Sequence, residues 1–376
     1  MLSSLSGAPA EPVSASPAAA DRASFTTNNF VLVRLVAALL VAVAHVAERF
    51  PLSLGAFEAV LDELPGVAIF FVISGFLVSA AWERSPTTID FFRNRLLRIL
   101  PGLWVCLGAT TIVAGAFGVQ MATPRAALWL LTQGVGLIHT PSWLAGFGYG
   151  SYNGSLWTLP IELQFYVALP LLYRALSKAS APTSRLLVIW VLFTAFTLAW
   201  PIDSALFGGP HETLAQKLMR YALPLHDYLF LAGVCLQRLR VDRSRWIRGK
   251  GLAWLALYSV CAISFPPGKL ESMVKLLLLG LTFISLAYTT PTLSNRLLRN
   301  HDVSYGIFLY HGLLINVFIE LGRNRDWSYG LLCLGLSMLL GHLSLVLVEQ
   351  PAVRLWRRRA NARRQASASI AAGNAA

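Results

Sequence analysis

The chain has 376 residues, 56% of them apolar and only 13% charged, about half the charged fraction of a soluble domain. That balance excludes one or two soluble globular domains and describes a polytopic membrane protein. The net charge of +13 does not point to nucleic acid, because most basic residues sit in short connections between apolar runs, where membrane topology wants them.

Residues 1–28 are rich in Ala, Ser and Pro without apolar periodicity, which predicts a disordered tail. No basic stretch precedes an early apolar core, so the tail is not a signal peptide. Ten apolar runs follow, at 30–47, 66–82, 103–119, 156–175, 186–200, 222–237, 252–265, 275–290, 304–321 and 329–348. The run 252–265 is short for a span, and 126–139 is about as long yet left out. Charge arbitrates between them. With the amino terminus inside, ten spans put most of the 31 basic residues in cytoplasmic segments. Dropping 252–265 would move the basic carboxy tail outside, and adding 126–139 would move the cluster at 238–250 outside, both against the positive-inside rule. The expectation is an all-α bundle of about ten transmembrane helices with both termini cytoplasmic. Its membrane domain covers 29–350, and a basic tail covers 351–376. The external loop 119–155 carries Trp129, Trp143, Tyr149 and Tyr152 among glycines. It reads either as a helix lying over the outer mouth or as a wet loop with aromatic anchors. Cys106, Cys235, Cys261 and Cys333 lie in apolar runs without a CxxC pair, so neither a disulfide framework nor a zinc site is expected.

Four stretches carry chemistry. The first span holds Arg34 and His45, eleven residues apart. That spacing is about three helical turns plus 20°, so both project from one face, roughly 16 Å apart along the axis. Ionisable groups in a span mark function and need partners. Glu48, one turn beyond His45, is placed to orient the imidazole and leave its other nitrogen as a base. In the second stretch Ser74 and Gly75 sit mid-span, where small residues admit another helix or an extended ligand. In the third, "FFRNRLLRILPGLW", Arg95 and Arg98 share a face at the inner mouth with Arg93 beside them, a grouping suited to phosphates. In the fourth, Glu162 lies a few residues into a span entering from outside, at a depth expected to match His45. That makes it a partner for His45 or Arg34 and an alternative to Glu48 as the orienting carboxylate; Pro160 and Pro170 are expected to bend that helix. His311 and Asp227 are lesser candidates. His139, His211, His301 and His342 have no constellation around them.

Taken in order, R-x10-H, "GVAIFFVISGFLVS", "RNRLLRILPGLW", "GSLWTLPIELQFY", "SYGIFLYHG" and "EQP" resemble the membrane-bound acyltransferase-3 family. Its members O-acylate glycans such as lipopolysaccharide, capsule, exopolysaccharide and peptidoglycan. The resemblance covers about residues 29 to 353. It implies that His45 is catalytic with Arg34 as companion, and that Arg95 and Arg98 serve an acyl-CoA donor, acetyl-CoA above all. It also implies a cell-surface or lipid-linked glycan acceptor and a place in the bacterial inner membrane, in contact with lipid. The chain departs from the pattern at Leu163, where many members have a second Glu, and at Ala68, where Asp is common. Some members carry an external hydrolase-like domain after the last span, and its absence here implies transfer straight to the acceptor or to a partner protein. The residues also suit a transporter or flippase of a glycan or small anion. Against that reading, no repeat relates the two halves, and a phosphate-binding arginine cluster has no use in it.

Overall fold

The computed structural model describes residues 27–85, 87–177, 180–199, 226–265, 268–299 and 301–358. The predicted disordered tail, all but residues 27 and 28, lies outside the described residues, as do His211 and the basic tail beyond 358. Among the described residues every long element is an α-helix, and seven helical segments are long and apolar enough to cross a membrane. In chain order the helices are α1 (Phe30–Arg49), α2 (Phe57–Glu63), α3 (Gly66–Arg84), α4 (Thr88–Ala116), α5 (Pro124–Gly134), α6 (Thr158–Ser177), α7 (Pro182–Ala199), α8 (Asp227–Arg238), α9 (Gly251–Ser264), α10 (Lys269–Ala287), α11 (Leu293–Leu298), α12 (Ser304–Glu320) and α13 (Trp327–Ser344). A π turn, Leu345–Glu349, follows α13 without a break, and the helix runs on to residue 358. Each of the ten predicted runs falls on a helix. The short ones are α8, α9 and α12, and residues 222–225 of the sixth run lie outside the described residues.

Local chemistry sets the helix starts. Thr87 caps α4 by accepting the Asp90 amide at 3.0 Å, and Thr123 caps α5 ahead of a proline at the first position. Asp326 does the same for α13, accepting the Ser328 amide at 2.6 Å. Buried Asn29 fastens the start of α1 to the end of α10 by donating to the Thr289 and Thr290 carbonyls at 2.7 and 2.8 Å. The predicted bend at Pro160 does not arise: α6 begins at Thr158, so Pro160 sits in the first turn, where its missing N–H costs nothing, and only Pro170 is interior.

Residue pairings give each helix its direction. Arg34 meets Asp302 and His45 meets His311, so α1 and α12 run parallel. Arg98 with Asp302 and Cys106 with Leu309 align α4 with them. Phe71 lies against Trp157 and Phe230, and farther along Trp82 meets Tyr173 and Ser79 meets Gln237, so α3, α6 and α8 share a direction. That direction is opposite to α1, because Phe30 packs on Phe76 while Ala37 faces Gly66. Two crossings are nearly backbone on backbone. A Cβ on Gly75 would stand 2.0 Å from the Phe230 carbonyl oxygen of α8, and one on Gly306 would stand 2.4 Å from Gly341 Cα of α13. Small residues allow that approach, which in lipid replaces the hydrophobic drive between helices.

The segment between α4 and α6 is folded onto one end of the bundle. Trp129 and Tyr152 are buried there edge to face, and the Tyr152 hydroxyl donates to Gln133 at 2.9 Å. Asn153 donates to the Leu309 carbonyl at 2.7 Å, and Asn316 donates to the carbonyls of Ser151 and Tyr152. It is thus an ordered cap pinned to α12, with α5 as a short helix within it.

Candidate active site

The polar face of α1 finds its partners on α12. Arg34 Nη1 donates to Asp302 Oδ2 at 2.6 Å, and Arg98 Nη2 donates to the same oxygen at 2.7 Å. Asp302 Oδ1 accepts from the Ser304 hydroxyl at 2.5 Å and from its amide at 3.3 Å, so this carboxylate also holds the first turn of α12. Two cations from different helices therefore share one anion, which satisfies charges that would be expensive alone at that depth.

At the other end of the same face His45 Nδ1 lies 3.0 Å from His311 Nε2, with the rings stacked at 5.2 Å. His311 is fully buried, and its Nδ1 lies 2.9 Å from the Ile307 carbonyl oxygen. A carbonyl can only accept, so His311 carries its proton on Nδ1 and presents a lone pair at Nε2. His45 must then donate from Nδ1, which leaves its own Nε2 as a lone pair. No described protein group takes that nitrogen. Half-buried His45 is thus held in one tautomer with a base pointing away from its support.

The two expected orienting carboxylates stand elsewhere. Glu48 is 58% exposed and pairs with Arg49 at 3.1 Å, because it projects from the outer side of the last turn of α1 while Val46 and Ala47 face the bundle. Glu162 accepts from the Tyr166 hydroxyl at 2.5 Å and shares a cavity of about 60 Å³ with Arg34 and Ser74. It sits at the level of Arg34, not of His45, because α6 begins inside the bundle: Thr158, Leu159 and Ile161 are already buried. The same cavity is walled by Phe308, whose ring is 6.2 Å from that of His311.

Beneath it opens a cavity of about 760 Å³, lined by Arg84, Arg95, Arg98, Asp302, Tyr305 and Glu349 among others. Arg98 and Asp302 thus stand between the large cavity and Arg34. Tyr305 walls both cavities and donates its hydroxyl to the Ile99 carbonyl at 2.7 Å. Arg93 is turned away from it, paired with Asp90 at 3.1 Å and lying over the Trp356 ring at 4.4 Å. Gly75 is taken by the backbone of α8, so of the two small residues only Ser74 reaches a cavity. Among the lesser candidates, His311 joins the site. Asp227 is buried at the start of α8, His139 is bonded to Gln133, and the rings of His301 and His342 lie 6.2 Å apart. Asp302 escaped the sequence reading. Its one signal was a lone acidic residue just before a predicted span, two residues before the serine that opens it.

The profile of the acyltransferase domain of the acyltransferase-3 family matches residues 28–346, from the start of α1 into the π turn. The chain belongs to the acyltransferase-3 family. It is therefore a multi-pass membrane acyltransferase, and relatives occur in bacteria and in a phage. Nodulation protein 10 of Rhizobium leguminosarum bv. viciae is 31% identical over 89% of this chain and 95% of that protein. The O-acetyl transferase of Shigella phage Sf6 is 26% identical over 86% of this chain and 95% of its own length. The exopolysaccharide production protein ExoZ of Rhizobium meliloti (strain 1021) is 26% identical over 78% and 90%. No solved structure matches the chain. Family membership makes group transfer, not transport, the chemistry of the chain.

Proposed function

We propose that the protein moves an acetyl group from cytoplasmic acetyl-CoA to a sugar hydroxyl of an exported or lipid-linked polysaccharide. In this reading it crosses the bacterial inner membrane ten times with both termini inside. The relatives named for O-acetyl transfer and for exopolysaccharide production support the acyl group and the acceptor class. The alternation of helix directions supports the topology, since α1, α4 and α12 run one way and α3, α6 and α8 the other.

One observation carries the chemistry: the His45–His311 pair leaves His45 Nε2 as a fixed lone pair on the same helix as Arg34, whose partner Asp302 walls an arginine-lined cavity together with Arg98. The phosphates of acyl-CoA cannot enter hydrocarbon, and Arg95 and Arg98 are the forked cations at that mouth. The slender pantetheine arm passes Arg98, Asp302 and Arg34 and carries the thioester toward His45. Arg34 is about 16 Å from His45 along the helix. It therefore serves the neck of the path, with Glu162 and Ser74, and not the reacting carbonyl. His45 Nε2 takes the proton of the acceptor hydroxyl as its oxygen attacks the thioester carbon. The tetrahedral intermediate collapses by breaking the carbon–sulfur bond, and the proton passes to the departing thiolate, giving ester and free CoA. His311 Nε2 keeps its bond to His45 Nδ1 throughout and stabilises the imidazolium that forms.

The test uses membrane vesicles, acetyl-labelled acetyl-CoA and the host's surface glycan, with label followed into alkali-labile ester. The parent protein should transfer label, and His45→Ala, inserted at the same level, should lose about 10²–10⁴-fold in rate. Equal rates would remove His45 from the chemistry. Absence of transfer by the parent would remove the donor or the acceptor.

A further inference from the structure

Residues 350–358 continue the last helix beyond the π turn and beyond the family match, which ends at residue 346. Gln350, Val353, Arg354 and Arg357 recur at i, i+3, i+4 and i+7, so they form one stripe of that helix. All four line the 760 Å³ cavity, together with Arg84, Arg95 and Arg98. The π turn shifts the face of everything after it relative to an unbroken α-helix. Ser344 donates to Glu349 across the turn at 3.0 Å, and Gly102 of α4 leaves room for that carboxylate.

Charge is distributed unevenly around the cavity. On the α4 side Asp302 answers Arg98. On the C-terminal side Arg354 is engaged by the neutral Gln350 side chain at 2.9 Å, and no acidic side chain among the described residues pairs with Arg354 or Arg357. Two donors of the lining residues, Arg95 Nε and Trp356 Nε1, are buried without a protein acceptor among the described residues. Forked cations without a described acidic partner, Arg354 and Arg357, at a cavity that also holds Arg84, Arg95 and Arg98 point to an acceptor-rich anionic ligand. Acyl-CoA is such a ligand, with a diphosphate at one end of its ribose and a phosphate monoester, carrying about −1.5 to −2 charges, on the 3′ oxygen.

We propose that residues 350–358 complete the donor site by binding the 3′-phosphate of the CoA ribose. Arg354 and Arg357 are its cations, and the diphosphate lies on Arg95 and Arg98. This rests on the acyl-CoA reading above and adds to it the group by which the enzyme recognises CoA. The C-terminal turn is then a specificity element that selects CoA over nucleotides lacking the 3′-phosphate.

Binding of CoA and of dephospho-CoA, which differs by that phosphate alone, would be measured on the purified full-length protein in detergent. The parent should prefer CoA by roughly tenfold or more, as expected of a charge-assisted contact. The double variant R354Q/R357Q should lose that preference while binding dephospho-CoA as the parent does, which also shows that it is folded. Each single variant should lose part of the preference. Arg98→Ala should instead weaken both ligands alike. A double variant that still prefers CoA as the parent does overturns the inference and leaves the donor reading intact, and so does a parent that binds both ligands equally. A parent that binds neither overturns the donor reading and this inference with it.

Discussion

At the scale of single residues the site rests on two anchors taken from the loop before α12 and from α12 itself. Asp302 holds Arg34 and Arg98, and His311 holds His45. The His311 contact sets a tautomer, so its loss should act on rate and not on donor affinity. Replacing His311 by Ala leaves His45 free to place its proton on either nitrogen. We expect kcat to fall about 10²–10⁴-fold with the KM for acetyl-CoA within about twofold. His311→Gln can donate to the Ile307 carbonyl and accept from His45, and should recover a large part of the lost rate. Steady-state kinetics on matched vesicle preparations check both, and an H311A enzyme as fast as the parent would show that His311 only packs. Arg34 and His45 were legible in sequence because helical periodicity alone puts them on one face. Their partners were not, because an interval of 266 or 268 residues leaves no local trace. The sequence offered Glu48 and Glu162 as orienting groups because they are near in number or similar in depth. Burial and side-chain direction, which only packing decides, gave that work to His311.

At the scale of helices the apolar runs were legible, since a span must be long, apolar and internally hydrogen-bonded, but α4 begins at Thr88, fifteen residues before the run at 103–119. Contacts between runs were less so. Ser74 and Gly75 were open to a helix or a ligand, and the fold divides them: Gly75 meets α8 and Ser74 faces the cavity. The π turn left no readable mark, because nothing in "LVLVE" differs from an ordinary apolar turn. The α3–α8 crossing makes its own prediction. Gly75→Ala puts a Cβ 2.0 Å from the Phe230 carbonyl oxygen, so the helices must separate. Overpacking of this kind costs about 1–3 kcal/mol. Thermal unfolding in detergent should show a clear drop for Gly75→Ala. Gly108→Ala on α4, where nothing lies within 4 Å, should unfold at the parent temperature or slightly above.

At the scale of the whole molecule the proposed ten spans place the arginine-walled cavity inside and the α5 cap outside. Single cysteines read with a membrane-impermeant maleimide on intact cells test this, in a background where the four native cysteines are replaced. Glu58→Cys, on exposed α2, should be labelled, whereas Arg245→Cys, between α8 and α9, should be labelled only after the cells are opened. The reverse pattern would invert the protein and put the cavity out of reach of cytoplasmic CoA. The parallel pairing of α1 with α12 has a consequence for how such an enzyme is made. The base on α1 enters the membrane with the first helix, but the histidine that fixes its proton and the aspartate that steadies Arg34 and Arg98 arrive with the ninth of the ten predicted spans. A nascent chain thus carries His45 long before it carries a working active site. Under the proposed mechanism, thioester cleavage waits until nearly all of the bundle is in place, and a truncated or stalled product would not lose acetyl-CoA to water.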